Sequence, residues 1–151
     1  MNAVINKSIS YFLKGILFTF MACLLWGIVS ALLTEDRYSL KTSHPEISNE
    51  TLTITLKHGQ AKAHFVSRAV KTTRIISYDM HGLFLRFGDH YLLVTTDDSD
   101  DVHTHGFAVR KLFIKKVSDN QAFLITDRRG SFTLKDGRVV HLNSIFSGNY
   151  Q

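Results

Sequence analysis

No acidic residue precedes Glu35, and the chain holds a single cysteine (Cys23), a single proline (Pro45) and a single tryptophan (Trp26). One cysteine excludes an internal disulfide, so a folded domain here must be held by core packing alone. The chain also lacks a phosphate-binding glycine loop, a Ser-His-Asp arrangement, a paired-carboxylate signature, an internal repeat and any low-complexity tract. These absences remove the commonest enzyme classes. The missing early acids leave Lys7, Lys14 and the terminal amine as the only charges before residue 35.

What stands in that region is a run of 19 uncharged residues, Gly15 to Leu33. As a helix it would reach roughly 29 Å, close to the ~30 Å hydrocarbon thickness of a bilayer. The sequence therefore divides into a cytoplasmic tail (1–14), a transmembrane helix (15–33), a polar linker (34–50) and an outer domain (51–151). Basic residues stay on the cytoplasmic side, so the tail reads as inside and the domain as outside, which in a Gram-negative cell is the periplasm. Two alternatives compete. Val29-Ser30-Ala31 has the small-x-small pattern of a signal-peptide cleavage site, although the apolar run is longer than a signal core usually is. Cys23 invites a lipoprotein reading, but ten more uncharged, mostly apolar residues follow it.

After Glu50, apolar residues alternate with polar ones. Leu52, Ile54 and Leu56 interleave with Thr51, Thr53 and Thr55, a period of two that predicts a strand with one buried face. Further strands are expected at about 72–79, 83–87, 91–96, 107–117, 122–126, 131–135 and 138–145. Turns are expected at His58-Gly59, His81-Gly82, Gly88-Asp89, His105-Gly106, Asp119-Asn120, Arg129-Gly130 and Asp136-Gly137. The pattern predicts an all-β domain, a small sandwich or partly open barrel of about eight short antiparallel strands, behind one N-terminal membrane helix.

Charge is uneven. Residues 102–151 hold eight basic and three acidic residues, whereas 34–101 hold eight and ten. Arg110, Lys111, Lys115, Lys116, Arg128 and Arg129 are the candidate docking face for an acidic partner. Nucleic acid is not an expected partner in the predicted compartment. The segment 97–105 concentrates four aspartates with His103 and His105. A His-x-His pair on an extended segment, with Asp101 beside it, is a candidate divalent-metal site. No other cofactor is expected. The calcium-loop template fails there, because Val102 stands where glycine is required.

Two resemblances bear on function. The N-terminal anchor, the outer β domain and Ile114-Lys115-Lys116-Val117 resemble the signal-peptidase-like proteases. That likeness implies a nucleophile at Ser43, in Ser43-His44-Pro45, activated by Lys115. The fuller serine motif of that family and the glycine-aspartate pair after the lysine are missing. Residues 83–135 resemble the periplasmic homology-region domain of the type II secretion C subunit in their rhythm of short strands. That likeness implies a subunit of an envelope complex. The sequence reading is thus an inner-membrane, single-pass binding or adaptor subunit of a secretion, pilus or conjugation assembly. Its partners would be the membrane and other envelope proteins. A periplasmic immunity or inhibitor protein and a Ser/Lys peptidase are the alternatives.

Overall fold

The computed structural model describes residues 2–71, 75–96, 111–118, 120–126 and 129–150. One long helix, α1 (Asn2–Leu32), precedes an all-β unit. Its segment Ile9–Leu32 is long and apolar enough to cross a membrane. The helix takes in the expected tail of 1–14 as well, because no glycine or proline interrupts it before Gly15.

Ten strands follow: β1 (Glu35–His44), β2 (Ser48–Lys57), β3 (Gln60–Ala69), β4 (Ile75–Phe87), β5 (His90–Thr96), β6 (Lys111–Ser118), β7 (Gln121–Thr126), β8 (Ser131–Thr133), β9 (Val139–His141) and β10 (Ile145–Tyr150). Eight of them close an antiparallel barrel in the order β1-β10-β7-β6-β5-β4-β3-β2, and β8 and β9 form a separate hairpin. The barrel is an up-and-down meander except at β10, which returns after the β8–β9 excursion to bridge β7 and β1. The expectation of a small barrel thus resolves to a fully closed one. Closure leaves the barrel no free strand edge for another chain to pair with.

The predicted linker is not a linker. Glu35–His44 pair with β2 along its whole length, from Glu35↔Lys57 to His44↔Ser48. Pro45 lies in the β1–β2 turn, which the Ile47 N–H closes on the His44 carbonyl at 3.0 Å. The segment is polar because its outward side chains face solvent and its inward Asp36 and His44 find polar partners at the two barrel ends. The expected break at His81-Gly82 is also absent: both residues pair within β4, with Lys62 and Ala61 on one side and Thr96 and Thr95 on the other. The turn at His58-Gly59 does form. Both residues take positive φ, 49° and 80°, as a two-residue hairpin of the mirror-image type needs.

An eight-stranded barrel is just wide enough to be filled by its own side chains. Here Tyr38, Leu40, Leu52, Ile54, Phe65, Tyr91, Leu93, Leu112, Ile114, Leu124 and Phe146 fill it, each 1% exposed or less. The end next to the helix is stoppered by Ala31, which joins this core. The far end is covered by the stretch after β7, with Arg129, Leu142 and Ile47 buried. The closing seam is tight. A Cβ on Gly148 in β10 would collide with the Ser39 carbonyl and lie 2.8 Å from Leu40 Cα in β1. Only glycine lets the two backbones approach so closely.

Candidate functional site

Among the described residues, the interior carries polar groups only at its two ends. At the far end, Arg129 and Glu50 form an ion pair with both side chains 0% exposed. Arg129 Nη1 donates to Glu50 Oε2 at 2.6 Å and Nη2 to Oε1 at 3.1 Å, a two-pronged contact. Nη1 also donates to the Asn143 carbonyl, and the guanidinium sits between the Phe65 and Phe146 rings. His44 accepts from the Asn143 N–H through Nε2 at 3.2 Å, and burial holds its pKa below the ordinary value. This cluster fastens the covering stretch onto the barrel mouth.

At the helix end, the Tyr91 hydroxyl donates to Asp36 at 2.7 Å, and Arg86 Nη1 donates to Thr34 Oγ1 at 2.9 Å. Burial raises the Tyr38 pKa to about 12 and drives that of Tyr91 further up; the charge on Asp36 raises that of Tyr150. All three phenols stay neutral and surround one carboxylate. Among the described residues both end clusters bond mainly within themselves, and they hold the fold.

The outer surface is divided in two. Register places Leu85, Leu92, Phe113, Ile125 and Ile145 side by side across five neighbouring strands. Leu83 and Val94 pair beside this row and are 67% and 64% exposed. Contiguous apolar surface of this kind marks an interaction face. The remaining side, on β1 to β3 and the adjoining part of β4, is polar. Thr51, Thr53 and Thr55 run up β2 between two flanking strands that present Arg37 and Lys41 on one side and Lys62 and Arg68 on the other. The acids of this face are engaged: Glu35 pairs with Lys57 and Asp79 with His64, each at 2.6 Å. Arg37, Lys41, Lys62 and Arg68 have no acidic partner among the described residues. Two shallow hollows, about 800 and 530 Å³, lie among these residues.

The basic cluster expected from the sequence is described only in part. Arg129 is inside the barrel, so it cannot contribute to a surface. Lys116 lies over the Tyr150 ring at 5.1 Å at the helix end. Lys115 is exposed on the outer face between His90 and Phe123. Lys111 begins β6; Arg110 and Arg128 lie outside the described residues. The Ser/Lys pair fails on geometry. Ser43 in β1 donates to Asn49 at 2.7 Å, while Lys115 in β6 is three strands away around the barrel and exposed, whereas a lysine base needs burial. Asp101, His103 and His105 lie outside the described residues, and among the described residues no group of three or more His, Cys, Asp or Glu is arranged to hold a metal. The β1–β3 cations were visible in the sequence, but the interior Asp36 and Glu50 and the acid-rich 97–101 segment masked them in the regional charge count. No family model matches the chain, and neither a curated protein nor a solved structure matches it.

Proposed function

We propose that this chain is a single-pass inner-membrane protein with Lys7 and Lys14 in the cytoplasm and the barrel in the periplasm. It acts there as a binding subunit of an envelope assembly of the secretion, pilus or conjugation type. One observation carries the reading: four cations without acidic partners among the described residues, Arg37, Lys41, Lys62 and Arg68, flank a threonine row on a rigid closed sheet. A fixed array of like charge favours an acidic protein surface, speeds its encounter and selects against basic competitors. The filled interior argues against a carrier of small molecules inside the barrel. The separated Ser43 and Lys115 argue against a peptidase.

The test uses the full chain, purified from its membrane in mild detergent. A partner captured by the wild type should be lost on Lys41→Glu with Lys62→Glu, both exposed positions, and its affinity should fall as salt rises. Retention of the same partner by the charge-reversed protein, in low and high salt alike, would remove the basic face from the reading. A reporter at Gln151 active only in the cytosol would remove the orientation.

A further inference from the structure

The helix does not stand beneath the barrel as a stalk. Thr34 opens β1. One turn earlier, the Ala31 carbonyl accepts from the Gly59 N–H in the β2–β3 turn, and Leu32 lies against Gly59. One further turn back, Gly27 lies under the Phe87 ring, at the last residue of β4. A side chain at Gly27 would meet that ring at 2.5 to 3.2 Å, so helix and ring are in direct contact. The last two turns of α1 therefore step from β1, past the β2–β3 turn, to β4. They cross the base of the barrel. The residues before Gly27, which form most of the apolar span, leave on the side of β4.

That same side carries the apolar surface. Phe87, Leu85 and Leu83 follow one another up the outer face of β4, and Leu92 and Val94 stand beside them on β5. The patch is continuous with the helix through the Phe87–Gly27 contact. Its lower rim holds His90 and Lys115, paired across β5 and β6, and the Lys115 ammonium is suited to lipid phosphates. β1, which carries Arg37 and Lys41, lies on the other side of the barrel, and β3 with Lys62 adjoins β4 on the flank.

We infer that the barrel reclines on the bilayer that anchors it, with Leu83, Leu85, Leu92 and Val94 set into the boundary between headgroups and acyl chains. Amphipathic surfaces of this kind enter that boundary to about 5–10 Å. The absence of a free linker makes the posture a fixed one, since the chain passes from α1 into β1 at Thr34. It turns β1, with Arg37 and Lys41, away from the membrane, toward a partner, and leaves Lys62 on the flank between. The inference rests on α1 spanning the membrane.

The experiment reconstitutes the full chain into vesicles of phosphatidylethanolamine and phosphatidylglycerol. A fluorophore is placed on a single cysteine at Leu83, Val94 or Thr53 in a Cys23→Ser background, and separately on the native Cys23. Labels at 83 and 94 should be quenched by nitroxides near the lipid headgroups, and several-fold less than the label at 53 by aqueous iodide. Equal iodide quenching at 83, 94 and 53 would overturn the reclining posture. So would labels at 83 and 94 shielded from both quenchers, which would mean that protein, such as a second copy, covers the face. The Cys23 label separates the two failures. If mid-chain nitroxides quench it, the helix spans and only the posture is at fault; if iodide quenches it, the spanning helix itself is lost.

Discussion

Replacing Arg129 by methionine tests whether the buried ion pair holds the covering stretch onto the barrel. The substitution removes a two-pronged contact to Glu50, a hydrogen bond to the Asn143 carbonyl and the stacking between Phe65 and Phe146. It leaves a carboxylate with 0% exposure facing an apolar side chain. Breaking a buried pair from one side costs about 3–5 kcal/mol, against a total stability of about 5–15 kcal/mol for an ordinary domain. At about 4 °C per kcal/mol for a domain of this size, the midpoint should fall by about 12–20 °C. Arg129→Lys should fall between, because it keeps the charge but loses the planar fork and the ring stacking. The decisive variant is the double one, Glu50→Leu with Arg129→Met. It has no stranded charge and should recover most of the loss. Thermal and urea unfolding of the full chain in mild detergent, followed by far-ultraviolet circular dichroism, measures all four proteins. A single variant within about 1 kcal/mol of wild type would refute the reasoning. So would a double variant no more stable than the single one.

Two further outcomes follow from the same coordinates. Gly148→Ala places a methyl group against the Ser39 carbonyl and Leu40 Cα, so it should loosen the β1–β10 seam and cost at least about 1–3 kcal/mol in the same unfolding assay; unchanged stability would deny the close approach. His44 is held below its ordinary value of 6.5 mainly by burial. The unfolded chain therefore takes up that proton first, so stability is complete above about pH 6.5 and declines as pH falls below it, by at most about 1.4 kcal/mol per pH unit. His44→Gln keeps an acceptor for the Asn143 N–H and should flatten that decline, read as unfolding midpoints between pH 7 and 5; parallel pH curves for the two proteins would exclude His44 as the source.

The strands that alternate strictly were legible because each has one face in the core and one in water. Thr51-Leu52-Thr53-Ile54-Thr55-Leu56 is the clearest. The two strands that close the barrel were not. In β1 only Tyr38 and Leu40 are apolar inward positions, since Asp36 below and His44 above belong to the polar barrel ends. In β10 the inward series Phe146, Gly148, Tyr150 includes a glycine whose purpose is the seam. A period-two search sees too few apolar residues in either. The β1–β3 cations were overlooked for a related reason. Counting charge along the chain cannot tell that Arg129, Glu50 and Asp36 point inward, and the interior acids hid a basic surface on β1 to β3.

The apolar face left a signal of a different kind. Tyr91-Leu92-Leu93-Val94, Leu112-Phe113-Ile114 and Ala122-Phe123-Leu124-Ile125 are unbroken apolar runs, unlike the alternating β2. Such runs ordinarily belong to strands covered on both faces. In a closed barrel only one face of a strand can be inside. Tyr91, Leu93, Leu112, Ile114, Ala122 and Leu124 occupy it, which leaves Leu92, Val94, Phe113, Phe123 and Ile125 outside. Nothing else in the described chain covers them. A strand that is apolar on both faces, in a fold that can bury only one, calls for a second apolar phase, which no described residue of the domain supplies. For β4 and β5 the proposed course of α1 through the membrane would put the bilayer on that side. The runs on β6 and β7 continue around the flank, where Phe123 and Ile125 adjoin Ile145, and there a neighbour standing on the same membrane can reach them. The change from alternating to continuous apolar strands along one sequence therefore marks where this barrel stops facing water.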